Sequence, residues 1–319
     1  MDMWKNILRT ILFLTIFTLL FLMVTPVFVP KDNSYYSGIH EESTKGFLAE
    51  PENSIDVFFI GDSEVHSTFI PLRIWEQYGI TSYGCGTGAQ VMYQTYSYLE
   101  HAFKVQSPKI VILEANILFR DFTIDGMISH TAEEFFPFLR YHDRWKTLQP
   151  EDWTNPVDFR TLVRDKGYTY RSRAIPASTE SYMIPSDEIY PMHPLNQWYF
   201  HRIHALCRQH GAQLIVVSAP SPVNWDYYYH NGVVKLLEGL DVPYLDMNLM
   251  SQEIPIDWNT ESYDGGDHLN YYGACKTTDY IGAYLWQTGL FEDKRESPEY
   301  EHWNSALDEF YALVETDQK

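Results

Sequence analysis

Residues 55–67 read IDVFFIGDSEVHS, and this stretch decides the fold. Ile55–Ile60 reads as a strand, apolar on both faces of an extended chain apart from Asp56, and Gly61-Asp62-Ser63 stops the run. A strand of that kind belongs in a parallel sheet covered by helices. Similar short apolar runs recur at 82–83, 110–113, 214–218 and 243–245. Between and after them, three- and four-residue apolar spacing predicts helices over 72–78, 91–103, 195–209, 233–238 and 271–285. The alternation predicts an α/β fold, a parallel sheet between helical layers.

Upstream of this domain, residues 10–29 read TILFLTIFTLLFLMVTPVFV, twenty positions without a charge. That length matches a ~30 Å hydrocarbon core. Lys5 and Arg9 precede the run, while Lys31 and then Asp32, Glu41 and Glu42 follow it. The charge asymmetry predicts a cytoplasmic amino terminus and a folded domain on the outer side of the cell membrane. A cleavable signal peptide is the rival reading, but the run is long for one and VTPVFVP lacks a small-x-small cleavage site. The expected organisation is a cytoplasmic stub and single transmembrane anchor over 1–30, a polar linker over 31–53 and a catalytic domain over 54–290. A tail over 291–319 follows. Inside the domain, residues 121–192 break the alternation with Trp145, Trp153 and scattered arginines, and read either as an insertion that shapes a site or as a helical embellishment. The tail carries nine acidic and three basic residues, yet Trp303, Leu307, Phe310 and Val314 recur at helical steps, predicting an acidic amphipathic helix.

The 319 residues carry 23 Lys+Arg against 43 Asp+Glu, a net charge of −20, which argues against a nucleic-acid partner. Cys85, Cys207 and Cys275 are too far apart for metal spacing and read as packing residues. His201 and His204 share a helix face but lack ligand partners. No GxxxxGK[ST] loop appears, and YDGGDHLN lacks the acidic spacing of a calcium loop, so neither cofactor nor metal is expected.

Four places carry chemistry. Ser63 stands at the carboxyl end of the first strand, where parallel sheets place their sites; it is a nucleophile candidate, or a helix cap. His268, in SYDGGDHLNYYGA, lies in a Gly-rich loop with Asp264 and Asp267 close enough in sequence to orient it. A serine hydroxyl needs such a base, and the base needs a carboxylate that fixes its tautomer. Gly88 in YGCGTGAQ and Asn116 in VILEANILF could supply a backbone N–H and an amide to a developing oxyanion.

Ser63, Gly88, Asn116 and Asp-x₃-His, in that order along residues 54–290, resemble the blocks of the SGNH/GDSL hydrolase superfamily. The resemblance implies a flavodoxin-like sandwich, a Ser-His-Asp triad and an oxyanion hole of the Ser63 N–H, the Gly88 N–H and the Asn116 side chain. That family usually places Asp three residues before His; here position 265 is Gly, and the choice lies between Asp264, which the two glycines favour, and Asp267. The third block reads Glu114-Ala115-Asn116 in place of the common Gly-x-Asn-Asp form. With the anchor, GDSEVHSTF and DHLNYYGA look like the membrane-tethered members that accompany membrane-bound O-acyltransferases, such as the D-alanyl transfer protein of teichoic acids and the alginate O-acetyltransferases. That likeness implies transfer of a small acyl group, acetyl or D-alanyl in type, from a membrane-bound O-acyltransferase partner to a hydroxyl of a cell-surface polysaccharide or teichoic acid-like polymer. The same triad with water as acceptor would be an esterase of acylated carbohydrate or lipid, and an idle triad would leave a scaffold of a polymer-modifying complex.

Overall fold

The computed structural model describes residues 2–32, 43–159 and 163–317. In chain order its helices are α1 (Asp2–Phe28), α2 (Ser43–Gly46), α3 (Ser63–Thr68), α4 (Pro71–Tyr78), α5 (Met92–Val105) and α6 (Ile124–Phe135). They continue with α7 (Pro137–Tyr141), α8 (Glu151–Thr154), α9 (Pro194–Gln209), α10 (Tyr227–Leu237), α11 (Tyr271–Gln287) and α12 (Glu301–Asp317). The strands are β1 (Val57–Gly61), β2 (Ser82–Gly86), β3 (Ile110–Glu114), β4 (Gln213–Ser218) and β5 (Tyr244–Asp246). The chain divides into two compact units, Met1–His40 with Thr123–Thr161, and Glu41–Phe122 with Leu162–Lys319.

In the larger unit the five strands form one parallel sheet in the order β2-β1-β3-β4-β5. This is the flavodoxin-like order, and it has its switch point between β1 and β3. Side chains alternate across each strand, so Val57, Phe59, Ile110, Ile112, Ile215 and Val217 share one face. They form a buried cluster with Val65 and Phe69 at α3, Ile74 of α4, and Ile281 and Leu285 of α11. Phe58, Ile60, Val111, Leu113 and Val216, equally buried, point to the opposite face, where α5 and α9 pack on each other. The result is a three-layer α/β sandwich.

The departures from the sequence reading are local. Helix α10 begins six residues before the expected 233, because Asp226 accepts from the N–H groups of Tyr228 and Tyr229 and caps an aromatic first turn without clear periodicity. Helix α3 was hidden by its six-residue length. The proposed linker 31–53 does not stay outside the fold: residues 33–42 lie outside the described residues, and beyond them Phe47 and Glu50 are buried. The stretch 121–192 is divided, its first part clustering with the amino-terminal helix and its remainder with the sheet.

That remainder closes the sheet's edge. β2 is an edge strand, and Gly84 donates its N–H to the carbonyl of Lys166 at 2.8 Å. Gly167, at φ +91°, is required there, since a Cβ would stand 1.8 Å from the Gly84 oxygen. Lys166 turns inward and its Nζ meets Glu50 Oε1 at 2.6 Å, with both side chains shut off from water. The ammonium lies 4.6 Å from the Trp303 ring centre, and His302 reaches the other Glu50 oxygen at 3.2 Å. This pair joins the segment before β1, the edge of β2 and α12, whose Trp303, Phe310 and Val314 pack with Ile70, Leu72 and Trp75.

In the smaller unit, α1 includes one stretch, Met3–Phe28, long and apolar enough to cross a membrane; a signal sequence meets the same criterion. Its last turns pack on α7 and α8.

Removing one partner of a buried ion pair strands the other charge, at about 3–5 kcal/mol. Lys166→Ala is expected to lower stability by that amount, while the double variant Glu50→Gln with Lys166→Met recovers most of it; denaturant midpoints of the two proteins decide.

Candidate active site

The site is built at the carboxyl ends of β1 and β3, the two sides of the switch point. Gly61 ends β1, Asp62 caps α3 by accepting from the Glu64 N–H at 3.1 Å, and Ser63 is the first helical residue. Such a first-turn N–H has no intrahelical acceptor and stays available. Close approach is what the glycines permit. A Cβ on Gly61 would stand 2.7 Å from the Glu114 Cβ, and one on Gly86 would stand 2.4 Å from the Asp62 oxygen.

The base comes from the loop before α11. An antiparallel bridge between Ser262 and Leu269 closes this loop, and Ser262 Oγ accepts from the N–H groups of Gly265 and Gly266. Both glycines have positive φ, +88° and +105°. That conformation folds Asp264 back over His268. The carboxylate accepts from the His268 backbone N–H at 2.8 Å through Oδ1 and meets ring Nδ1 at 2.7 Å through Oδ2. Ring Nε2 lies 2.8 Å from Ser63 Oγ. Ser63, His268 and Asp264 thus form one continuous hydrogen-bonded chain, with the Ser63 hydroxyl directed at Nε2 and the Nδ1 proton at the carboxylate.

Asp267 is placed differently. Its nearer oxygen stands 3.8 Å from Nδ1, and its Oδ1 accepts a short hydrogen bond from the Asn224 amide. Nor does it cap α11: that position belongs to Asn270, which accepts from Tyr272 and Gly273. Asn116 lies buried in the 3₁₀ turn Ala115–Phe119, with Nδ2 donating to Asp62 Oδ2 at 3.0 Å. One of its two amide hydrogens is so used, and the second remains. Gly88 stands in the exposed turn that follows β2, with open space above its Cα, so the glycine that packs against the serine turn is Gly86.

Several residues were not read from the sequence. Arg120 binds Asp62 through Nε at 2.7 Å and Nη2 at 2.6 Å, neutralising a carboxylate that has no exposure at all. Glu64 and Glu114 are buried beside it. Burial first, and then the charges of Glu114 and Asp62, hold the Glu64 carboxyl well above the usual glutamate range; burial and Asp62 do the same for Glu114. Glu64 Oε1 accepts from Asn224 at 2.9 Å, so Asn224 joins Glu64 to Asp267. Burial, with the nearby charges of Arg171 and His268, lowers His66 to about 4 and leaves it neutral. Carboxylates ending apolar strands were a visible sign of Glu114; Asn224, in a Pro-rich loop, gave none.

Glu64, Asp267 and His268 each offer one ligand atom within 4.8 Å of the others. Both ring nitrogens of His268 are engaged by Ser63 and Asp264, and Asn224 holds the two carboxylates, so the donor set serves the hydrogen-bonded chain.

No protein-family model matches the chain, and no curated protein sequence does. Among solved structures it is similar to a family 3 carbohydrate esterase of Clostridium thermocellum, at 12% identity and TM-score 0.40, over 73% of this chain and 96% of that one. It is similar also to a GDSL-like lipase of Bacteroides thetaiotaomicron, at 11% identity and TM-score 0.35, over 73% of this chain and 86% of that one.

A buried acid raised in this way favours the folded state below its ordinary pKa, and that contribution is lost as pH rises through the raised value. Glu64→Gln keeps the neutral shape and cannot ionise. Its melting temperature is expected to gain on wild type as pH is raised from roughly 5 to 9, with little difference at the acid end; thermal melts across that range check it.

Proposed function

We propose that this protein is a serine acyl-transfer enzyme of the SGNH/GDSL type, tethered to the cell membrane by α1 with its catalytic unit outside the cytoplasm. The observation that carries the proposal is the chain Ser63 Oγ, His268 Nε2, His268 Nδ1, Asp264 Oδ2, with steps of 2.8 and 2.7 Å. Ser63 Oγ attacks the carbonyl carbon of an acyl ester and gives its proton to His268 Nε2, while Asp264 holds the imidazolium. The carbonyl oxygen becomes an oxyanion, received by the Ser63 N–H and the second Asn116 amide hydrogen. Collapse expels the alcohol, which takes the proton from His268, and leaves an acyl group on Ser63. An acceptor hydroxyl then attacks the acyl-enzyme and loses its proton to His268, which returns it to Ser63 Oγ as the acyl group leaves on the acceptor.

The acceptor we assign is a hydroxyl of a cell-surface polysaccharide or teichoic acid-like polymer, with a membrane-bound O-acyltransferase as donor partner. This assignment is supported by the apolar amino-terminal helix and by the sequence blocks around Ser63 and His268. Hydrolysis is the second reading. It is favoured by the exposure of the triad's outer end, where the Asp264 side chain keeps 30% of its surface, so water reaches the site.

A fluorophosphonate is expected to label Ser63 in the wild type and to label neither Ser63→Ala nor His268→Ala. Asp264→Ala should slow labelling by about 10⁴-fold, as loss of a triad carboxylate does, and Asp267→Ala much less. Absence of labelling in folded wild type would overturn the proposal, and the ratio of acylated glycan to free acid assigns the acceptor.

A further inference from the structure

We propose that residues 124–157 form a membrane-interface element, seated in the same leaflet that the last turns of α1 cross, with the bilayer itself as the partner of its exposed apolar face. This rests on reading α1 as a membrane span.

The first argument is depth. Phe138 packs edge-to-face on Phe28 at 4.7 Å and on Phe21 at 5.1 Å, and Phe136 packs on Phe21 at 5.6 Å. Phe28 is the last residue of α1, and its carbonyl, left without an intrahelical donor, accepts from Arg144 Nη1 at 2.8 Å. Arg144 is itself fixed by Asp152 at 2.8 Å. A guanidinium on that carbonyl marks the level of the headgroups. Phe21 lies seven residues further in, about 10 Å at 1.5 Å per residue. The turn from α6 into α7 therefore lies beside apolar chain, at the depth to which interfacial helices sink, about 5–10 Å.

The second argument is that the apolar surface faces outward. At 100° per residue, Ile124, Ile128 and Phe135 fall within about 40° of one line along α6. That stripe is exposed, Phe135 by 75%, whereas His130 on the other side of the helix is buried. Trp145 and Trp153, beyond the turn, are also about two-thirds exposed, at 64% and 65%. In water such a helix is inside out; against lipid it is the expected orientation, with tryptophans near the interface. Leu22 and Met23 of α1 are exposed at the level of Phe21, so the outer side of α1 is apolar at the depth where Phe136 and Phe138 pack.

The attraction is apolar. Residues 124–157 hold six acidic and three basic side chains, so anionic headgroups are not required.

The test uses the full chain with Cys275→Ser, the buried Cys85 and Cys207 being left in place. A nitroxide is attached at Phe135→Cys, or at Phe17→Cys in α1 as the control, and the protein is set in phosphatidylcholine nanodiscs. Power saturation should show oxygen reaching both labels more readily than a water-soluble nickel chelate does. If the label at 17 gives the lipid pattern and the label at 135 is quenched by nickel, the element faces water or awaits a protein partner and the inference is overturned while the anchor stands. If the label at 17 also gives the water pattern, the anchor reading fails and takes this inference with it.

Discussion

The geometry of the serine turn depends on one buried carboxylate. Asp62 has no contact with solvent, and its two oxygens take the Glu64 N–H, the Asn116 amide and two nitrogens of Arg120. A single side chain thereby caps α3, ties the end of β1 to the end of β3, and fixes the helix start that carries Ser63. A carboxylate in that position would be very costly without its partners, since an unpaired buried charge carries the full desolvation penalty. Arg120 makes the arrangement tolerable, and in doing so sets the position of the 3₁₀ turn that bears Asn116. Gly61 and Gly86 have to lack side chains for these segments to come so close.

Around that anchor the electrostatics are divided. Glu64 and Glu114 are pressed into the same volume as Asp62, and three carboxylates cannot all ionise there with one arginine nearby. Two are pushed toward the neutral form while Asp62 keeps the ion pair. On the solvent side the charge is arranged in the opposite sense: Asp264 stays partly wet and contacts both the backbone and the ring of His268. The two layers meet at Asn224, which holds Glu64 below and Asp267 above. Ser221 adds to this by donating to the carbonyl of Gly266, so the loop after β4 holds the loop that presents the histidine.

The chain also divides its irregular segment between two tasks. Residues 163–170 close the edge of β2 and deliver Lys166 to its buried partner, an economical protection for a strand that would otherwise present free hydrogen-bonding groups. The preceding residues belong with α1 and bring aromatic rings and Arg144 to the end of that helix. Composition alone gave both parts the same aspect, aromatic and polar without strict period, because neither packs as a regular layer.

The residue types along the chain suffice to set the layers of the larger unit. Strands apolar on both faces require helices above and below, and 57–60, 110–113 and 214–218 carry that requirement in their residue types. The sequence placed Ser63 at a strand end, His268 in a turn of glycines and a twenty-residue apolar run at the amino terminus. The tertiary structure alone brings Asp264, and not Asp267, within hydrogen-bond reach of His268 Nδ1, because that depends on how far Gly265 and Gly266 fold the loop back, and two positive-φ residues leave no periodic signal. It alone showed Asn224, Arg120 and Lys166 at work. Their partners lie 43, 58 and 116 positions away along the chain, and a buried charge is recognised by what closes around it, which local sequence does not encode.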